Sequence, residues 1–591
     1  MVVKTLSRSI RQYKLPSVLT PLFMTGEVLL ECLIPLVMAR LLDTFYGNSI
    51  APIIKLGLIL VAMAMVSLLC GTLSGLFASR ASSGFSRNLR HDLFYKIQEF
   101  SFGNVDKFSS ASLVTRLTVD VFNVKNAFMM IIRMAVRFPL MLIIALIMSF
   151  TISVKMTFVF LAIIPVLALG MTLLIVKVYP MFDGVFKRYD ALNDSVQENI
   201  KGMRVVKTYV REEHEKQKFE HSAEDIRKTF TKAERIINLT NPLQWFCIFT
   251  AIVLVSTLGA IITVKTFGGY DSNNNPVWGE LSTGDIAALF TYIGQILSSL
   301  MMLAQVLVMI VMASASAKRI AAVLEEQSDI VSPENALTEV KDGSIDFCGV
   351  NFKYSANAEA DALENIDLHI KSGETVGIIG GTGSGKTSLV QLIPRLYDVH
   401  SGCVKVGGSD VREYDLQTLR NSVAMVLQKN LLFSGTIAQN LRWGDENATD
   451  EEIKRAAELA CADEFVSSFP DGYDTHIEQG GTNVSGGQKQ RLTIARALLK
   501  KPKILILDDS TSAVDTRTDA LIRKAFREEI PGTTKIIIAQ RTASVMDADR
   551  IVVLDNGRIS AVGTHEQLLA SNDIYREVYE SQNRESEGGN E

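Results

Sequence analysis

The residues able to do chemistry gather in the last third of the chain. The stretch ETVGIIGGTGSGKTSLVQLI reads as a buried strand, a glycine-rich turn and a helix start, and Gly380 to Thr387 fit G-x-x-x-x-G-K-[ST] in that context. Small residues at Gly380, Gly381, Thr382, Gly383, Ser384 and Gly385 let backbone N–H groups converge on phosphates, at a helix N-terminus that already favours anions. Lys386 is expected to reach the β- and γ-phosphates and the Thr387 hydroxyl to ligate Mg²⁺, with Ser388 counted among the nucleotide-binding residues. The expected ligands are therefore ATP and Mg²⁺.

Further on, KILILDDS is a buried strand ending in two adjacent carboxylates. Asp508 is placed to hold Mg²⁺, directly or through water, and Asp509 to polarise an attacking water. Glu would serve better at 509, because the Asp side chain is one methylene, about 1.5 Å, shorter. A misplacement of that order can cost about 10²-fold. Where a titratable, phosphate-sensing His is expected, IIIAQR has Gln540. Both departures weaken hydrolysis while leaving the residues that grip nucleotide intact.

These residues must be carried by a chain that is mostly membrane. Its 591 residues are 48% apolar, the mean hydropathy is +0.20, and long apolar runs dominate up to about Val311. A net charge of −4 does not suggest a polyanion partner, so no nucleic acid is expected. Six cysteines (Cys32, Cys70, Cys247, Cys348, Cys403, Cys461) form neither CxxC nor a Cys/His cluster and read as small core residues. The N-terminus lacks the pattern of a cleaved leader, so the first apolar segment is expected to stay as a membrane helix.

Six stretches are long enough to cross a bilayer: Leu19–Leu42, Ile53–Phe77, Phe128–Phe150, Met156–Val178, Trp245–Val264 and Ile286–Met312. The connections after the second and fourth are long and basic, as is the N-terminus, and the positive-inside rule puts all three in the cytoplasm. Both connections have helical periodicity, so each reads as two helical extensions joined by a reversal, the first near Ser109 to Leu117, the second near Gly202 to Arg211. Such tips would be ready to dock on a soluble domain. FGGYDSNNNPVWGELSTGD, between spans five and six, is turn-rich and external, either a small gate or a plain loop. Glu27 and Glu31 lie four apart on span one, Arg133 and Arg137 four apart on span three. Each buried charge costs about 2.5 to 3.5 kcal/mol on insertion scales, so they read either as the wall of a substrate pathway or as structural pairs between helices.

The whole pattern resembles a half-transporter of the ATP-binding cassette exporters, here close to the degenerate-site subunit of bacterial heterodimeric exporters. The resemblance rests on VSGGQ (Val484 to Gln488) followed by KQRLTIARALL, on Gln428 in VAMVLQKNLLFSGTI, on SAVD (Ser512 to Asp515) and on Tyr354. It implies six spans at 1–315, a linker at 316–342 and an α/β nucleotide-binding cassette at 343–578; the polar residues at 579–591 are expected to form a disordered tail. It implies further that Tyr354 stacks on adenine and that Gln428 contacts Mg²⁺ and couples to the membrane domain. Ser485, Gly486 and Gly487 would cap ATP held by a partner cassette in a head-to-tail dimer. Gln479 stands where many exporters have Glu. The implied partners are a second half-transporter with intact Glu and His, membrane lipids, and a small amphipathic or drug-like substrate leaving the cell. A lipid or peptide cargo, or a largely non-hydrolysing regulatory subunit, is the alternative. The implied location is the cell membrane, with the cassette and N-terminus cytoplasmic.

Overall fold

The computed structural model describes residues 2–46, 50–269, 277–355, 358, 360–510 and 513–587. The chain divides into two compact units, Met1–Gln98 with Ala111–Glu325, and Glu99–Ser110 with Glu326–Glu591.

In the first unit, six helices are long and apolar enough to cross a membrane, and each contains one of the six expected spans. Helices are the form a chain of this composition must take in lipid, since every backbone N–H and C=O is then satisfied within the segment. They run far past the bilayer: Ile50–Gln98 has 49 residues and Val154–Lys201 has 48, each about 70 Å at 1.5 Å per residue. Their packed centre includes Met24, Cys32, Ala145, Leu167, Val255 and Tyr292. Within the bilayer, Arg137 ion-pairs with Glu27 (2.5 Å) and Glu31 (2.7 Å), so for Arg137 the interhelical pairing is what forms. Tyr270 and the residues through Val277's predecessor, the middle of the expected gate or loop, lie outside the described residues.

The first cytoplasmic reversal comes earlier than Ser109 to Leu117. Helix Ile50–Gln98 stops, and a short helix Phe102–Phe108 follows, started by Ser101, whose hydroxyl and backbone N–H exchange hydrogen bonds with Asn104. This reciprocal cap satisfies N–H groups that would otherwise be orphaned at a new helix start. The expected tip residues instead begin the returning helix, which includes Ser110–Thr115. The second reversal is at Gly202 to Arg211 and carries the short helix Met203–Thr208. The sixth span helix, Thr283–Glu325, takes in 316–325, which the sequence reading gives to the linker. Alanine-rich ASASAKRIAAVLE has too much helix propensity to stop earlier.

The second unit holds two sheets. The larger has strand order Arg558–Gly563, Arg550–Asp555, Thr375–Gly380, Thr534–Ile538, Ile504–Asp508, Val423–Val426, all parallel to their neighbours except the first, which is antiparallel. Its inner strands are largely apolar runs because both faces are covered; all of Ile504–Asp508 and Thr534–Ile538 are buried, whereas the edge strand Arg558–Gly563 is partly exposed. Each buried Ile or Leu there contributes roughly 1.5 to 3 kcal/mol relative to exposure. The smaller, antiparallel sheet runs Leu363–Ile370, Ile345–Phe352, Ser401–Val406, Ser409–Asp410. The final helix, Asp573–Glu587, covers most of the segment expected to be a disordered tail. It is held by Tyr575, fully buried and hydrogen-bonded to His565 at 2.7 Å, and by Gln582, described below.

Candidate functional site

Parallel register gathers the site. Ile538 pairs with Ile378 on one side and with Asp508 on the other, so Gly380, Asp508 and the residues after Ile538 all emerge at the carboxyl ends of adjacent strands. In open α/β sheets that edge is where ligands bind.

The turn after Thr375–Gly380 ends in helix Lys386–Gln391, with Gly385 as its cap at φ 93. A Cβ on Gly385 would lie 2.8 Å from the carbonyl oxygen of Ala362, so both the backbone angle and the space demand glycine. Gly381, Thr382 and Gly383 are exposed, while Ser384 and Ser388 are buried. Lys386 Nζ donates to the carbonyls of Gly380 (2.9 Å) and Gly381 (2.8 Å). Burial pushes its pKa down, opposed by the carboxylates of Asp508 and Asp509. The half-exposed ring of Tyr354 stands over this helix, its hydroxyl 2.8 Å from Ser388 Oγ and its ring edge-on to Phe352 and Tyr397. An aromatic face beside a phosphate cradle is what a purine needs.

The Thr387 hydroxyl donates to Asp508 Oδ1 at 3.2 Å. Asp508 is 2% exposed, and its Oδ2 is buried with no hydrogen-bond partner. Burial pushes this carboxyl up, against the Thr387 hydrogen bond, with the Asp509 carboxylate adding and Lys386 opposing. A buried, orphaned carboxylate oxygen beside a threonine hydroxyl fits a divalent cation. Among the described residues no three His, Cys, Asp or Glu side chains cluster as a metal site, so phosphate oxygens would have to complete the coordination of Mg²⁺.

Asp509 has φ 48, a left-handed conformation that Asp tolerates better than most residues. Its Oδ2 accepts from Gln540 Nε2 at 2.9 Å and from Gln428 Nε2 at 3.4 Å. Thus the three residues singled out separately in the sequence meet at one carboxylate oxygen. Gln582 was not singled out. Its Oε1 accepts from Thr542 N (2.9 Å) and Thr542 Oγ1 (3.0 Å), and its Nε2 donates to the Gln540 carbonyl (2.8 Å). A polar residue on the one hydrophilic face of a C-terminal helix gives no sequence signal of such a role.

Ser485 caps the 14-residue helix Gly486–Leu499 through a reciprocal box with Gln488. Ser485 and Gly486 are exposed, so the positive end of a helix dipole and free N–H groups face outward. Gly487 packs on the Ala513 carbonyl, and the Ala513 N–H donates to Gln490 Oε1 at 3.0 Å. The phosphate loop has other neighbours, Ala362, Leu363 and Leu554. The chain therefore does not fold its signature onto its own cradle. Ser512 lies outside the described residues. Gln479 lies in the short turn Gln479–Gly481 ahead of the signature.

The segment Glu99–Ser110 is part of this second unit: Tyr397 donates to Asp106 Oδ2 at 2.8 Å, Phe102 packs 6.1 Å from the Tyr397 ring, and Lys107 pairs with Glu326 at 2.8 Å. Tyr397 also touches Tyr354, so the reversal and the aromatic beside the cradle share a neighbour.

Comparison with known proteins agrees with this architecture. Residues 19–301 match the ABC transporter transmembrane region and 363–512 match the ABC transporter family. The chain is 35% identical to the uncharacterised ABC transporter ATP-binding protein YfiB of Bacillus subtilis, over 97% of each chain. It is 34% identical to the probable multidrug resistance ABC transporter ATP-binding/permease protein YheI of the same organism, over 75% of this chain and 73% of that one. A solved bacterial Atm1-family ABC exporter with ATP bound shares the fold at TM-score 0.79 and 22% identity, over 97% of this chain and 98% of the other. This chain is a member of the ABC exporters: a multi-pass membrane half-transporter whose six spans are followed by a cytoplasmic ATP-binding cassette.

Proposed function

We propose that this chain is one subunit of a heterodimeric exporter of amphipathic, drug-like molecules, holding ATP at a weakly hydrolytic site of its own and capping a partner's competent one. The observation that carries the reading is the state of Asp509. Its carboxylate has the shorter reach, and the oxygen that would face water already accepts from the amides of Gln540 and Gln428. An amide cannot take up a proton, so Gln540 offers no acid–base function at this position. A homodimer would have two such sites and none sound; a sister subunit with Glu and His supplies what is missing. The family resemblance to YheI supports multidrug-type cargo.

In this scheme Tyr354, Lys386 and the loop from Gly380 to Ser388 would hold nucleotide, and Thr387, Asp508 and Gln428 would hold Mg²⁺, which would supply charge neutralisation at the phosphates. Ser485, Gly486 and Gly487 donate to the γ-phosphate of the partner's ATP from a preorganised helix end, a form of stabilisation worth roughly 10²- to 10³-fold per donor. Two bound ATPs favour joined cassettes, and the cytoplasmic reversals pass that preference to the spans. The coupling is only as large as the difference in affinity between the two states. Purified alone, the chain should bind ATP and turn it over slowly; brisk hydrolysis by the isolated chain would overturn the reading.

A further inference from the structure

The two arginines of the third span have unlike surroundings. Arg137 is satisfied, taking one oxygen from Glu27 and one from Glu31. Arg133, one turn nearer the cytoplasm, has neither ion pair nor hydrogen bond among the described residues, and its Nε is buried. A guanidinium carries five N–H donors, cannot give up its charge, and is costly within a bilayer without partners.

Gly71 and Gly75 lie one turn apart on the second span helix. A Cβ at Gly71 would come 2.9 Å from Glu27 Oε2, and one at Gly75 would come 3.9 Å from the Arg133 guanidinium. Gly71 therefore leaves room for the Glu27 carboxylate, and Gly75 lies in ordinary contact range of the Arg133 guanidinium. Further unpartnered buried atoms are Glu27 Oε2, Gln295 Oε1 and Ser299 Oγ. Glu27 and Glu31 share Arg137 as counter-charge, which leaves Arg133 as the charged group of this set without an ion pair among the described residues.

We propose that Arg133 is the docking point for an anionic head group of the transported amphipath, entering from the inner half of the membrane. This names the substrate class and rests on the exporter reading above. A carboxylate or phosphate would take the guanidinium side-on through two parallel N–H donors.

The test is equilibrium binding of radiolabelled glycocholate (a carboxylate) and oleoyl lysophosphatidate (a lipid phosphate) to the complex with its partner in phosphatidylcholine nanodiscs, less empty-disc partitioning. Binding of at least one is expected, weakened about tenfold or more by Arg133→Ala, as for loss of a charge-assisted hydrogen bond, and largely kept in Arg133→Lys. Glycocholate alone would mark an organic anion as cargo; lysophosphatidate alone would mark a lipid head group. Equal binding by parent and Arg133→Ala, or binding of neither anion, overturns the proposal. A water-bridged structural arginine gives that same null result. Should Arg133→Ala fail to fold, an excess of uncharged dodecyl maltoside that displaces the anions from the parent as well as unlabelled anion does would equally overturn it. Absence of ATP turnover in the same complex would count against the functional reading alone, since the binding measurement does not need it.

Discussion

The phosphate-loop face and the signature face of the cassette are built from one sheet and its helices, yet they differ in what restrains their reactive groups. On the first, every group that would touch the γ-phosphate is already engaged: Lys386 with loop carbonyls, Thr387 with Asp508, Asp509 with two amides. On the second, Ser485 bonds only within its own helix cap and the helix end faces outward. One polypeptide thus carries a phosphate-loop face whose carboxylate is engaged by amides and a signature face whose helix end is exposed. In the proposed head-to-tail pair the two faces would serve different ATP molecules, so substitutions should break them separately.

The largest effect is expected on the capping face. In the complex, Ser485→Ala should lower ATPase turnover by about 10²-fold, the size of a lost donor to developing charge. Part of the change would be the lost helix cap, about 1 kcal/mol, which Ser485→Thr should restore. Gln540→Ala should lower the same turnover by less than about twofold, since an amide there does no proton transfer. Equal losses would erase the difference between the faces. A smaller effect belongs to the holding face: Lys386→Ala should reduce photolabelling of this chain by azido-ATP about tenfold, as for a charge-assisted contact, with a milder loss of turnover.

The opposite manipulation sharpens the comparison. Asp509→Glu combined with Gln540→His should raise single-turnover hydrolysis of nucleotide held on this chain, by up to about tenfold for a restored general base, with the partner's signature setting the ceiling. An unchanged rate would move the origin of the asymmetry from Asp509 and Gln540 to the other chain.

How much of this was legible in the sequence follows from the range of the interactions. The spans and the phosphate loop are local: apolar length and glycine spacing declare them without tertiary information. The first reversal was misplaced because FSRNLRHDLFYKIQEF keeps its helical period right up to Ser101, and a Ser-x-x-Asn cap is a weak signal beside that periodicity. The helix through Glu587 was hidden by its polar composition; what orders it is burial of Tyr575 and bonding to a loop far away in the chain. Charges within spans could be listed but not partnered from sequence, since Arg133 and Arg137 have the same spacing pattern and opposite surroundings. Likewise Asp509, Gln540 and Gln428 were each identified, but their meeting at one oxygen depends on strand register.

The smallest expected effect concerns that register's outer support. Gln582 holds the loop after Ile538 from outside, accepting from Thr542 and donating to the Gln540 carbonyl. These hydrogen bonds fix the backbone that aims Gln540 at Asp509, without touching nucleotide. Gln582→Ala removes them at a net local cost of roughly 1 to 2 kcal/mol. Exchange of the Thr542 amide should accordingly quicken by about 5- to 30-fold, because its acceptor is gone and the open state is more populated. ATP binding should hardly change, as the cradle has no contact with Gln582. In the Asp509→Glu, Gln540→His background, by contrast, Gln582→Ala should remove much of the recovered turnover, because a histidine there must be aimed to act. Gln582→Glu keeps the acceptor for Thr542 but loses the donor to the Gln540 carbonyl, so it should retain the amide protection and lose the aim. If both variants leave the recovered turnover intact, the helix Asp573–Glu587 is a brace for stability alone, and the weak hydrolysis proposed for this face would reside entirely in the side chains at 509 and 540.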